Sequence, residues 1–249
     1  MSMLYFGPAV GGLSPLQTVK IYRVYRLPEG GWGRVPNQDV HVVVGFPIGE
    51  TVLTLSTNWN SPFENAGLES VAGNTTSLLQ SGELAEIAKL IGLETGQITN
   101  AGDRSSMNLL NSTQIFSGQP PADLPLTLRF RAIKDAYKEV EQPIQFLASW
   151  MVAQEIREGG GLRIAAEDAQ SGNVGAETLL PTRIPVFVCV EYGNRIFQPM
   201  IIESIGEPIN SKLNHLGHRT ECEVPLKLQS LFAWDRSKYM ATYSTNNQN

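Results

Sequence analysis

The residues whose types could do chemistry fall in a few places. Asp135, Glu139 and Glu141 put three carboxylates into seven positions, and 135 and 139 would share a face on a helix. Acid–base work would also need a cleft and shifted pKa values, which spacing does not supply. The plainer reading is a solvated helix start. His215 and His218 lie three apart in a loop with Asn214 and Gly217, and His41 is distant in the chain. Cys189 and Cys222 sit in the apolar stretches VFVCVEY and TECEVPLKL. Two thiols and a histidine pair fall short of a zinc ligand set. Buried, reduced thiols are expected, since a disulfide would need adjacent strands in register. The sequence contains no G-x-G-x-x-G, P-loop, G-x-S-x-G or H-E-x-x-H motif. Gly159-Gly160-Gly161 lacks the Lys-Ser/Thr of a phosphate loop. No cofactor and no metal is expected, and the chain reads as a non-enzyme.

Composition narrows the class. The 249 residues carry 17% charged side chains and a net charge of −5, so nothing basic is on offer for nucleic-acid phosphates. The opening MSMLYFGPAVGGLSPL lacks a basic n-region and is broken by Gly and Pro, so no signal peptide is expected. No apolar run reaches the length of a membrane-spanning helix, and no membrane contact is expected.

The elements that must position these groups are mostly strands. Leu126, Leu128 and Phe130 alternate with Thr127, Arg129 and Arg131, the pattern of a half-buried strand. The period then lengthens. Val140, Ile144, Leu147 and Met151, with Phe146 and Trp150 beside them, mark an amphipathic helix that begins near Glu141 or Gln142, with Pro143 in its first turn. Earlier, Thr18 to Arg26 is a strand that shifts phase at Arg23, where a bulge would fit. His41 to Phe46 and Thr51 to Thr57 read as a hairpin. Leu78 to Ile91 reads as a short helix. Later, Ile184 to Tyr192 and Ile196 to Ile205 form a hairpin across Gly193-Asn194-Arg195, with an edge or bulge at Pro199. Thr220 to Leu228 turns Cys222, Val224, Leu226 and Leu228 inward and Glu221 and Glu223 outward. The whole is an α+β domain over 1–249: mostly antiparallel sheet with one packed helix. It carries an irregular N-terminal arm (1–16), long loops (94–123 and 158–182, the first with room for strands around Ile115 and Phe116) and a flexible tail (239–249).

Pro-x-x-Leu-Pro-Leu-x-Leu-x-Phe-x-Ala from Pro121, with Asp135, Glu139-Val140, Pro143-Ile144 and Leu147, resembles the baseplate tube-initiator proteins of contractile-tailed phages. Pro185, Tyr192-Gly193-Asn194, Pro199, Ile201 to Ser204 and the closing alternating strand resemble the last strands of a tail-tube fold. The resemblance covers about a third of the chain, best at residues 120–154 and 184–230. It rests on packing positions and carries over no catalytic residue. It implies a virion protein assembled in the host cytoplasm: a ring of six copies joining tail-tube protein to baseplate hub proteins, with DNA passing only in transit. Each subunit would lend strands to a shared barrel through Val186, Val188, Val190, Ile201, Val224 and Leu226. Phe146, Leu147, Trp150 and Met151 would support that barrel from outside, and Glu221 and Glu223 would face the channel. The alternative is a soluble monomeric binding module with a ligand pocket.

Overall fold

Strands β7 (Asp123–Arg131) and β10 (Glu221–Ser230) follow directly from their alternation. They pair antiparallel, Val224 opposite Leu128 and Cys222 opposite Phe130. Leu124, Leu126, Leu128 and Phe130 meet Cys222, Val224, Leu226 and Leu228 in one buried layer. The opposite face carries Arg129, Arg131, Glu221, Glu223 and Lys227, so water covers it.

The computed structural model describes residues 3–8, 14–34, 40–60, 113–154, 156 and 183–243. The expected helix at Leu78–Ile91, the excursion at 158–182 and most of the loop at 94–123 lie outside these. Contacts divide the chain into two compact units, Met1–Leu55 with Pro121–Asn249, and Ser56–Pro120.

The first unit contains a closed six-stranded barrel. Strand β2 (Val19–Arg26) pairs with β4 (Val40–Ile48), β4 with β7, β7 with β10, β10 with β9 (Arg195–Ile205), β9 with β8 (Phe187–Tyr192), and β8 with β2 again, all antiparallel. Two strands turn the corners. In β4, Val42–Gly45 pair with β2 while Phe46–Ile48 pair with β7. Gly45 stands at that bend, where a Cβ would come within 3.2 Å of Leu128. In β9 the first half pairs with β8 and the second with β10. Pro199 falls where the β8–β9 register shifts, so its missing N–H costs no ladder bond.

Helix α1 (Gln142–Met151) buries Ile144, Leu147 and Trp150 in the same core as the barrel interior. It therefore closes one end of the barrel, where the Val186 N–H donates to the Trp150 carbonyl at 3.3 Å. A π-helical turn, Tyr137–Glu141, leads into it and buries Val140.

Several expectations need correction. Thr51 to Thr57 is no strand: only Thr54 bridges, to Asp123. Strand β7 already occupies the edge of β4 at Phe46–Ile48, so no hairpin partner fits there. The N-terminal arm holds a strand, β1 (Met3–Phe6), parallel to β4. Gly7 (φ 141°) allows the approach, since a Cβ there would lie 2.0 Å from the Val44 oxygen. Of the expected tail, 244–249 lie outside the described residues, and its first residues belong to helix α2 (Arg236–Ala241), capped by Asp235, which accepts from the Lys238 N–H at 2.7 Å. The phase shift in β2 is not a bulge, because its pairing with β8 is continuous. Instead the outer face is buried as well. Tyr22, Val24, Val40, Val42, Val44 and Cys189 form a second cluster with Trp32 of β3 (Trp32–Gly33) and Phe187.

In the second unit, β5 (Asn58–Asn60) pairs antiparallel with β6 (Ile115–Gly118), and Trp59 packs edge-on to Phe116 at 5.6 Å.

Candidate functional site

The three clustered carboxylates take separate structural tasks. Asp135 accepts from the N–H groups of Tyr137 (3.0 Å) and Lys138 (3.3 Å), opening the helical turn. Glu139 is buried and accepts from the N–H groups of Ile133 and Lys134. Glu141 accepts from Arg219 Nε (2.9 Å), Nη2 (2.6 Å) and backbone N–H (2.8 Å). Arg219 also reaches Glu207 (2.8 Å) and the Pro208 carbonyl (3.1 Å). Its hydrogen bonds hold the Glu141 carboxyl below the usual carboxylate range. The helix start is thus bonded rather than solvated, and the three groups share no cleft.

This network anchors the loop between β9 and β10. The loop turns at Asn214 to Gly217 and presents Ile209, Leu213 and Leu216 at 89%, 58% and 67% exposure. His215 is exposed, and His218 lies 5.3 Å from the Tyr137 ring. No group of three potential metal ligands gathers among the described residues.

A polar cluster sits on the outer face of β2 and β8. The Tyr22 hydroxyl donates to Glu191 at 2.5 Å, and Arg34 lies 4.3 Å over the Tyr22 ring and 3.3 Å from Glu191. Burial pushes the Tyr22 phenol up and the Cys189 thiol up to about 12. Both are neutral structural groups at ordinary pH. Cys189 and Cys222 are free, on strands separated by β9.

The expected barrel residues divide by face. Val186, Val188, Val190, Val224 and Leu226 point into this chain's own core, Val188 and Val224 fully buried. Their strands are paired on both sides within the chain over most of their length, and of β10 only the part at Glu221–Val224 has one partner strand among the described residues. Ile201 is half-buried, out of phase with the buried Met200 and Ile202. Leu147 and Trp150 are core residues, while Phe146 and Met151 are half-buried. Phe146 contacts Phe6 of β1 (4.9 Å) and His41 (4.7 Å).

Glu221 and Glu223 face outward as read, but their surroundings are mixed in charge. Arg129 donates from Nε to Glu221 at 2.7 Å and lowers its pKa through that bond, and Lys227 pairs with Glu203 at 2.8 Å.

One open feature among the described residues lies at the barrel end opposite α1. A cavity of about 360 Å³ opens there between β7, β8, β9 and the segment after β4. Arg195 stands at its rim, a position that the sequence reading used only as a turn. Comparison with protein-family models gives no match, and comparison with curated proteins gives none either. No helix among the described residues is long and apolar enough to cross a membrane.

Proposed function

We propose that this chain is a structural, non-enzymatic ring subunit, a tube initiator of a phage contractile-tail baseplate that joins hub to tail tube around a channel for DNA. The observation that carries the reading is β1. Among the described residues this strand pairs with β4 along one edge only, and Met3, Leu4 and Tyr5 are 37%, 40% and 58% exposed. An open apolar edge beside an otherwise closed barrel is a template for strand addition from another chain. The part of β10 at Glu221–Val224, bonded to β7 alone, is a second open edge among the described residues.

In this account six barrels are placed side by side, and peripheral edges join them. Apart from that stretch of β10, the barrel strands stay paired within each copy. The polar face of β7 and β10 is the candidate channel wall, where paired charges and the exposed Glu223 leave no net basic surface to hold DNA. The test is nucleation. Added at a sub-stoichiometric ratio, the chain should abolish the lag in polymerisation of the tail-tube protein from the same tail. An unchanged lag would overturn the initiator role.

A further inference from the structure

We propose that the open barrel end binds a small amphiphilic carboxylate, with its alkyl body in the cavity and its head on Arg195. The site lies within one chain and does not rest on the ring reading. Three observations carry it.

The cavity has the size and lining of a ligand site. Its volume of about 360 Å³ falls at the small end of the range for small-molecule pockets. Val19, Leu124, Leu126, Val190 and Phe197 form apolar walls, and no acidic side chain lines it. A small space with such walls takes a short alkyl body.

The rim carries one cation without an anion. Arg34, Arg129 and Arg219 each hold a glutamate. Arg195 has no carboxylate within ion-pair reach among the described residues. Of its N–H groups, Nη2 donates to Thr242 Oγ1 at 3.3 Å, while Nε is buried without an acceptor. A guanidinium offers five donors in a planar fork that matches a carboxylate.

Arg195 is also held in place. Its guanidinium lies 4.4 Å from the Tyr243 ring, 4.8 Å from Phe197 and 5.8 Å from Tyr239. Aromatic faces orient the cation without neutralising it, so the charge remains available to an incoming head group. Hydroxyl or amine heads would not satisfy the fork in this way.

The test is calorimetric titration of the purified full chain with octanoate and with 1-octanol, which share a chain length and differ in charge. Octanoate should bind at least tenfold more tightly. Arg195→Gln should abolish that preference. If Arg195→Gln unfolds, Thr51→Glu keeps the test, since Thr51 is exposed at the cavity rim. It should weaken octanoate at least tenfold and leave octanol within twofold. Equal binding of the two probes, binding of neither, or a preference that survives in folded variants would overturn the proposal. In those cases Arg195 only tethers the C-terminal segment.

Discussion

Arg219 is the residue on which the loop above α1 depends. Its side chain is 9% exposed, and that of its partner Glu141 13%. Removing the cation strands a nearly buried carboxylate, so Arg219→Ala should cost about 3 kcal/mol in urea unfolding. The pH dependence has a definite sign. The folded pKa of Glu141 lies below its unfolded value. Its contribution is therefore complete above about pH 4.5 and is lost as pH falls through the folded pKa. Glu141→Gln should flatten the acid limb of a stability-against-pH curve, and an unchanged limb would assign that slope elsewhere. Cys189 should resist a thiol reagent at pH 8 until the chain unfolds, given burial and a pKa near 12. The spacing of Asp135, Glu139 and Glu141 was legible in the sequence. Their roles were not, because Arg219 lies 78 positions from Glu141 and meets it only through the fold.

Elements were legible where one face meets water. Strands β7 and β10 alternate cleanly for that reason, and α1 shows its 3.6-residue stripe. HVVVGF and VFVCV read as unbroken apolar runs because β4 and β8 are covered on both faces, which hides their register. TVLTLST alternates as well as any strand, yet the edge it needed belongs to β7. Helix α2 is too short to show a period. The helix is testable directly: Trp150→Ala should cost about 3–5 kcal/mol, as for a large core side chain lost with its cavity. A negligible change would place Trp150 outside the core. Gly7 tests the arm. Gly7→Val brings a Cβ onto the Val44 oxygen, so β1 should leave β4 while the six barrel strands keep their pairing. Loss of the Phe6 contacts to His41 and Phe146 in NMR, with circular dichroism retained, is the expected result.

At the scale of the molecule, the sequence reading placed open edges on the strands that in fact close the barrel. Closure depends on β2 meeting both β4 and β8, pairings that join distant segments and leave no local trace. The edges left open among the described residues are peripheral, and β1 is the most apolar of them. Under the proposed function, six copies joined through such edges would give the ring that the resemblance implies. The direct measurement is the mass of the purified chain by light scattering, alone and with tail-tube protein. The account predicts about six times 27.3 kDa, either in solution or on the tube end, and a monomer for Gly7→Val under both conditions. A wild-type chain that stays at 27.3 kDa in both settings would contradict it.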